Sequence, residues 1–379
     1  MPDTIYLDHA ATTPLSRHAL EAMMPYLTEE FGNPSSVYGP GRRARLAVDR
    51  ARETVASAFG AHPDEIYFTS GGTESDNWVV RSVKRYGGEK KRIVSSAVEH
   101  HAVLRSVETM QGIGYETVLL GVDGACRVSP GSLREAVNRE TALVSIMAAN
   151  NEVGTVMPLA ELSAAAHETG ALFHTDAVQA AGHIPLDVER LGIDMMSFSA
   201  HKFGGPKGVG GLYLRRGIPV GPGQLGGGQE RGLRSGTENV AGIVGMAAAL
   251  EESCRFMEKD GKRISALRDR LIRGVLNIPG TRLTGDPVTR LPGNASFVFD
   301  GVEGEALVFL LDRSGICASS GSACSAGALE PSHVLLAMGL PEELARGSLR
   351  LTLGADNTEA DIDGVLKILP QIIFRLRGE

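Results

Sequence analysis

The sequence predicts an α/β protein whose core is a mostly parallel β-sheet covered by helices on both faces. Two features of the 379-residue chain indicate this fold class. Short runs rich in β-branched residues alternate with helical patterns through the middle of the chain, and strand–helix alternation is typical of α/β proteins. The runs are apolar nearly throughout, as expected of strands buried on both faces. Such sheets bind ligands beyond the carboxyl ends of their strands.

Six strands are predicted in the first part of the chain, at residues 65–70, 92–97, 142–149, 171–177, 194–200 and 209–215. A helix is predicted over 73–86, and another over 158–170 because that segment begins with proline and ends with glycine. The glycine-rich stretch 217–239 interrupts the alternation. A long helix is predicted from residue 240 to about residue 277.

The pattern changes after the long helix. Strands are predicted in "NASFVFDG" and "GSLRLTLG", with helices near residues 305–313 and 361–376. We therefore place a domain boundary within the long helix, near residue 256.

Charge and hydropathy argue against several classes of protein. The formal net charge is -7 without a basic stripe, so we expect no nucleic-acid partner. The longest apolar run, around 241–250, is shorter than the roughly 18 residues that span a bilayer, and the N-terminus does not resemble a secretory signal. We expect a cytoplasmic protein without membrane contact. The four cysteines lack C-x-x-C or zinc-type spacing, which predicts free thiols and no metal site.

Candidate site residues, most of them polar, lie at the ends of five of the predicted strands, where a parallel sheet gathers them into one cleft. They are Gly72, Thr73, His100, Asn151, Asp176, Gln179, Ser199, His201 and Lys202. A helix N-terminus binds phosphate, a carboxylate keeps a pyridine nitrogen protonated, and a desolvated lysine forms a Schiff base with an aldehyde. Pyridoxal phosphate needs all three groups, so the sequence predicts this cofactor, with Lys202 as the Schiff-base lysine.

Other interpretations of these residues remain open. Thr73 could serve only as a helix cap. The motif "GPGQLG" matches a dinucleotide fingerprint, but more glycines follow it instead of a helix. No G-x-x-x-x-G-K-[ST] motif supports a nucleotide triphosphatase. His100 and His101 are adjacent, which on a strand would point them to opposite faces and away from a shared metal.

A second unusual stretch, "GICASSGSACSAGALEPSHV", contains Cys317 and Cys324. Its small residues predict a mobile surface loop near residues 318–330. A free thiol there is either harmless or reactive. Cys317 is closer to an apolar segment and is predicted to be buried.

Nine motifs resemble those of the pyridoxal-phosphate-dependent cysteine desulfurases, the NifS/IscS-like branch of the class-V aminotransferases. They are "YLDHAATTP", "FGNPSS", "FTSGGTESDN", "VEHHAV", "NNEVGT", "HTDAVQ", "SFSAHKFGGPKGVG", "GGGQERGLRSGTENV" and "SSGSACSAGALEPSHVL". The resemblance extends from Tyr6 to Gly354. It implies the aspartate-aminotransferase-like fold type I: a large domain with a seven-stranded sheet (residues 16–256), a small α+β domain (1–15 and 257–379), and a homodimer.

The resemblance also implies roles for single residues in cofactor binding. Lys202 would carry the cofactor, His100 would stack on its ring, and Asp176 would pair with the ring nitrogen. Gln179 and Asn151 would contact the oxygen side of the ring. The phosphate would be held by Gly72, Thr73, Ser199 and His201, and by Thr237 of the neighbouring subunit.

For the substrate, the resemblance implies that Arg350 binds the carboxylate of L-cysteine, helped by Asn33. Cys324 would accept the sulfur as a persulfide and supply it to an acceptor protein, such as an iron–sulfur scaffold, or to thiolation. Gly204 departs from relatives, which often carry a bulky residue there. An aminotransferase or selenocysteine lyase would not need Cys324, and a non-catalytic binding protein would not need the set of Lys202, Asp176 and His100.

Overall fold

The computed structural model describes residues 4–321 and 331–378. The strands are β1 Ile5–Tyr6, β2 Ile66–Thr69, β3 Arg92–Ser96, β4 Glu116–Leu120, β5 Thr141–Ser145, β6 Leu172–Asp176, β7 Met195–Ser199, β8 Gly210–Leu214, β9 Thr281–Leu283, β10 Asn294–Phe299, β11 Ile316–Cys317 and β12 Ser348–Thr352. The α-helices are α1 Arg17–Thr28, α2 Gly39–Phe59, α3 Gly72–Tyr86, α4 His101–Gln111, α5 Pro130–Ala136, α6 Leu159–His167, α7 Val240–Val275, α8 Gly304–Arg313, α9 His333–Ala337, α10 Glu342–Arg346 and α11 Glu359–Arg377.

A seven-stranded sheet in the order β2-β8-β7-β6-β5-β3-β4 forms the centre of the fold. Strand β8 is antiparallel to both of its neighbours, and the other pairs are parallel. The α/β class and the six predicted strands are confirmed. Strand β4 was missed because it lies at the sheet edge, where four of its five residues are exposed or partly exposed, so its pattern differs from that of the buried strands.

A three-stranded antiparallel sheet, β12-β10-β9, lies in the C-terminal part of the chain. Its apolar face packs with α8, α11 and the end of α7 into a core separate from that of the large sheet. The buried residues of α7 fall into two groups, Ala241–Leu250 and Leu267–Val275, so this helix contributes to both cores. The domain boundary near residue 256 lies between the two groups and stays a prediction.

The N-terminal segment joins this C-terminal part, because β1 pairs in parallel with β11. None of the helices in residues 4–321 and 331–378 combines the length and hydropathy needed to cross a membrane.

A buried ion pair fixes the glycine-rich stretch to the large sheet. Both carboxylate oxygens of Glu230 accept hydrogen bonds from the Arg52 guanidinium, at 2.6 and 2.8 Å, and one also accepts from the backbone N–H of Phe68 at 2.9 Å. The Arg52 and Glu230 side chains are only 8% and 3% exposed. Glu230 adopts a positive φ of 44°, which a non-glycine residue rarely does.

Replacing Glu230 with alanine should therefore be strongly destabilising, because Arg52 would keep a buried charge without its partner. We expect Glu230→Ala to lower the free energy of unfolding by about 3–5 kcal/mol, measured by urea denaturation. The control is Glu258→Ala, which removes an exposed partner of Lys262 and should change little. Equal effects of the two substitutions would contradict the structural role of the buried pair.

Candidate active site

A cavity of about 300 Å³ lies at the carboxyl ends of the central strands and the N-terminus of α3. Ten of the predicted site residues line it: Gly72, Thr73, His100, Asn151, Asp176, Gln179, Ser199, His201, Lys202 and Arg350. Parallel strands end at the same sheet edge, which explains why the nine residues between Gly72 and Lys202 meet there, whereas Arg350 comes from β12 of the three-stranded sheet.

One end of the cavity is suited to bind an anion. Helix α3 begins at Gly72, so its first backbone N–H groups have no partner within the helix. A Cβ at Gly72 would lie 2.4 Å from Cγ2 of Val178, so only glycine fits there without displacement. Gly71 is the cap residue, so the alternative that Thr73 serves only as a helix cap is wrong. Thr73 lies in the first turn, where its hydroxyl adds a donor.

Ser199 and His201 line the cavity together with Gly72 and Thr73. Nδ1 of His201 is 3.2 Å from the Thr12 hydroxyl. Burial, followed by the charges of Lys202 and Lys207, lowers the pKa of His201 to about 4. The imidazole is therefore neutral at physiological pH, and it can act there as a hydrogen-bonding group without adding charge.

Lys202 follows β7 in the short 3-10 turn Ala200–Lys202. Its Nζ donates to the carbonyl oxygens of Ala10 and Ala11, at 2.6 and 2.8 Å. The Gln179 amide donates to the same Ala10 carbonyl at 2.9 Å. The N-terminal segment therefore sets the position of the predicted Schiff-base amine in the cavity wall.

Asp176 and His100 carry the acid–base character of the cavity. Oδ1 of Asp176 accepts a hydrogen bond from the backbone N–H of Val178 at 2.9 Å. Burial raises the pKa of Asp176, while this hydrogen bond and the nearby His100 and Lys202 lower it. Burial lowers the pKa of His100, although Asp176 opposes the effect. Nδ1 of His100 accepts from the Ala102 N–H at 3.1 Å, so a neutral ring holds its proton on Nε2.

Arg350 approaches the cavity from β12 and is 3% exposed. One of its terminal nitrogens donates to the Asn151 carbonyl at 3.0 Å, and the other forms an ion pair with Asp8 at 2.9 Å. Its Nε has no hydrogen-bond partner among the described residues. The sequence contains Asp8 within "YLDHAATTP", but nothing in the local pattern indicated that it pairs with an arginine 342 residues away.

Cys324 lies outside the described residues, so the predicted loop is considered only through its flanks. Before it, the Gly321 N–H donates to the Ser348 hydroxyl at 3.1 Å, and the backbone of Ser319 pairs with that of Arg350. After it, the Ser332 hydroxyl donates to Glu152. Both flanks of the segment are therefore fixed beside the strand that carries Arg350.

Two acids near these flanks have pKa values well above their ordinary range. Burial raises the pKa of Glu152 to about 7, against the opposing hydrogen bond from Ser332 and the charge of Arg350. Burial also raises the pKa of Glu99 to about 8. The Glu99 carbonyl accepts a hydrogen bond from His333 at 3.0 Å.

Cys126, Cys254 and Cys317 are free, as predicted. Cys317 is partly exposed, so the prediction that it is buried is wrong; it lies on the two-residue strand β11, which forms a two-stranded sheet with β1. Burial raises the pKa of each of the three thiols, which disfavours the reactive thiolate.

Asn33 and Thr237 are exposed and do not line the cavity in the single chain. Oδ1 of Asn33 accepts from the Ser35 N–H at 2.9 Å in a local turn. Thr237 lines a separate cavity of about 60 Å³. Among the described residues, no group of three or more His, Cys, Asp or Glu side chains is arranged to hold a metal ion.

Comparison with known proteins places this site in a family. The sequence profile described as aminotransferase class-V matches residues 5–365. A cysteine desulfurase IscS of Methanosarcina thermophila is 50% identical over 99% of this chain and 93% of its own length. A solved NifS-like protein is 40% identical, with a TM-score of 0.93 over 98% of this chain and 99% of its own. A structure described as SspA in complex with cysteine is 33% identical, with a TM-score of 0.83 over 94% and 100% of the two chains.

The chain therefore belongs to the class-V aminotransferases, the class of pyridoxal-phosphate-dependent enzymes that the fold and cavity define. Within that family it belongs to the NifS/IscS-like cysteine desulfurases. The residues that line the cavity suit pyridoxal phosphate independently of these comparisons. The cavity offers a helix N-terminus at Gly72, a buried carboxylate at Asp176 and an amine at Lys202.

The lack of a side chain at Gly72 should matter for cofactor binding. In Gly72→Ala, the new methyl group would overlap Val178, and the start of α3 would have to move. We expect cofactor affinity to fall about tenfold or more, measured by titrating the apoenzyme with pyridoxal phosphate. Gly124→Ala is the control, because a Cβ at Gly124 meets no atom within 4 Å. Unchanged affinity in Gly72→Ala would argue against phosphate binding at this turn.

Proposed function

We propose that this protein converts L-cysteine to L-alanine and holds the released sulfur as a persulfide on Cys324. One observation carries the proposal. The cavity combines Lys202, Asp176 and His100 with Arg350, and the flanks of the Cys324 segment are hydrogen-bonded beside Arg350. Membership of the cysteine desulfurases and the likeness to SspA, whose structure contains cysteine, support the same substrate.

The roles of the cofactor-binding residues follow from their positions. Bound pyridoxal phosphate supplies an electron sink for the bond changes at the substrate. Gly72, Thr73, Ser199 and His201 would hold its phosphate, with Asp176 at the ring nitrogen and His100 against the ring. Asn151 and Gln179 would contact the ring oxygen. Lys202 would hold the aldehyde carbon between turnovers and exchange it for the substrate amine.

Substrate orientation is assigned to Arg350. Its guanidinium is buried, its fork geometry suits a carboxylate, and its Nε is unpartnered among the described residues. Asp8 and the Asn151 carbonyl hold the other end of the guanidinium in place. With the carboxylate there, the amine and sulfur of cysteine would face Lys202 and the Cys324 segment. Asn33 would assist only if a rearrangement brought it to the cavity.

Proton handling is assigned to Lys202 and His100. The Lys202 amine, once released, would move the proton of the substrate Cα. His100 is neutral and carries its proton on Nε2 when Nδ1 accepts from Ala102. In this form Nε2 can donate a hydrogen bond without adding charge to the cavity. To transfer a proton, the ring would first accept one as a base and become an imidazolium, and would then release that proton and return to the neutral form.

Sulfur transfer balances as a displacement. The Cys324 thiolate attacks the substrate sulfur, the new S–S bond forms, and the Cβ–S bond breaks with its electron pair left on carbon. Cβ then takes a proton, which gives alanine, and Cys324 holds the persulfide.

The protein would act as a homodimer in the cytoplasm. Thr237 is exposed in the single chain, which would allow it to reach the phosphate in the partner's site. Large apolar side chains are also exposed, including Phe31 at 82%, Val37 at 84% and Leu225 at 84%.

The persulfide would pass to an acceptor protein, such as an iron–sulfur scaffold, or to a thiolation pathway.

The persulfide assignment predicts a specific effect of Cys324→Ser. The variant should bind pyridoxal phosphate and cysteine normally but form no persulfide, because serine cannot take up sulfur. Alanine release should fall at least a hundredfold, measured by amino-acid analysis together with cyanide-released thiocyanate. Cys317→Ser is the control and should retain turnover. Undiminished alanine production by Cys324→Ser would instead favour an aminotransferase or a lyase that needs no acceptor thiol.

The substrate assignment predicts that Arg350→Ala weakens cysteine binding. Loss of a desolvated charge pair costs about 2–4 kcal/mol, which we expect as a rise in the apparent Kd for cysteine in the cofactor absorption spectrum. Cofactor content should remain near that of the wild type. Arg346→Ala is the matched control, because Arg346 is a partly exposed arginine on α10 that pairs with Glu342 outside the cavity. Wild-type cysteine affinity in Arg350→Ala would remove Arg350 from the substrate site.

A further inference from the structure

Asp76 is a buried acid in the cavity wall to which the mechanism above assigns no task. It lies on α3 one turn after Gly72, so both residues face the cavity. Asp76 is 1% exposed, and its Oδ1 has no hydrogen-bond partner among the described residues. A buried carboxyl oxygen without a partner is costly, so its presence calls for a function.

The groups behind Asp76 cannot neutralise a negative charge on it. Nε2 of His174 is 3.7 Å from Oδ1 of Asp76. His174 is held between the hydroxyls of Ser145, at 2.8 Å from Nδ1, and Ser197, at 3.0 Å from Nε2. Burial lowers the pKa of His174 to about 3, so the ring is neutral. Only a hydrogen bond from Ser197 favours the charged form of Asp76.

The other ionisable groups that act on Asp76 are two acidic side chains, those of Asp176 and Glu99. Asp176 lines the same cavity from β6, and Glu99 follows β3. Burial first, and then the charge of Asp176, raise the pKa of Asp76 well above its ordinary value. Glu99 is itself uncharged at neutral pH because burial raises its pKa to about 8. Two neighbouring carboxylates that are both buried cannot both ionise without a large cost in free energy.

The two aspartates differ in their cationic neighbours. His100 and Lys202 both act on Asp176 in the direction of its charged form, whereas no cation within residues 4–321 and 331–378 acts in this way on Asp76. Asp176 is therefore the better site for the negative charge, and Asp76 is the better site for the proton.

We propose that Asp76 is a positioning residue for Asp176: it remains uncharged in the working enzyme, so that the pair presents one negative charge, on Asp176, to the ring nitrogen of the cofactor. A negative charge on Asp76 would repel the charge on Asp176. An empty space in place of the Asp76 side chain would admit water, which would screen the charge on Asp176. The inference rests on the placement of the cofactor in this cavity, but not on the persulfide at Cys324.

The test compares Asp76→Asn, a neutral side chain of equal size, with Asp76→Ala, which empties the space. Each apoenzyme is titrated with pyridoxal phosphate, and the visible band of the bound cofactor is then titrated with pH. We expect Asp76→Asn to stay within about threefold of wild-type affinity with an unchanged band. Asp76→Ala should bind at least tenfold more weakly, and its band should titrate at a midpoint shifted by at least half a pH unit.

Ser75→Ala is the control for disturbance of α3, because Ser75 is buried beside Asp76 but bonds to Thr69 and Gly211 outside the cavity. It should keep the wild-type band. If Asp76→Ala does not fold, as judged by thermal unfolding of the apoenzyme, Asp76→Ser takes its place with the same expectation. A tenfold loss in Asp76→Asn would overturn the proposal by showing that Asp76 acts as a charge. If Asp76→Asn and Asp76→Ala (or its substitute Asp76→Ser) both behave like the wild type, the proposal is also overturned, because Asp76 then has no role.

These measurements need no turnover, so they separate this inference from the proposed function. An enzyme that fails to form persulfide could still show the expected pattern in cofactor binding.

Discussion

The segment Leu7–Thr13 holds the active site together. Its carbonyl oxygens at Ala10 and Ala11 accept hydrogen bonds from the Lys202 amine, and its Asp8 forms the ion pair with Arg350. The same segment bonds to the backbone of β12 through Leu7 and to the His201 carbonyl through Thr13. The large sheet supplies the lysine and the small sheet supplies the arginine. This stretch of chain therefore connects the two residues, together with the hydrogen bond from Arg350 to the Asn151 carbonyl.

Buried acids form the second constraint on the site. Burial raises the pKa values of Glu99, Glu152, Asp76 and Asp176, but only for Asp176 among these four do both His100 and Lys202 oppose the effect. This arrangement favours Asp176 over Asp76 as the site of negative charge in the cavity, as the proposed pairing of Asp176 with the cofactor nitrogen requires. It also allows the other acids to act as hydrogen-bonding groups, as Glu152 does with Ser332 at the flank of the Cys324 segment.

Much of the fold and most of the cavity could be predicted from the sequence, for identifiable reasons. Strands β2, β3 and β5–β8 are buried along nearly their whole length and each contains apolar residues that indicate a buried strand, and the site residues at their ends meet because parallel strands end at one edge. The prediction was weaker where a strand is partly exposed. Strand β4 is half exposed at the edge of the sheet, and Cys317 is less buried than its apolar neighbours suggested. Gly71 caps α3 where Thr73 was considered, because backbone geometry decides the first helical residue.

The sequence by itself determined the class of fold, the cofactor chemistry and the identity of the residues at the ends of the strands, since these depend on local pattern and residue type. Only the tertiary structure decided which charges meet. Asp8 and Arg350 are 342 residues apart, and Ser332 and Glu152 are 180 residues apart. The task of Asp76 likewise becomes visible only once β6 brings Asp176 and His174 beside α3. Electrostatic interactions depend on distance and burial in space, and the order of residues along the chain specifies neither.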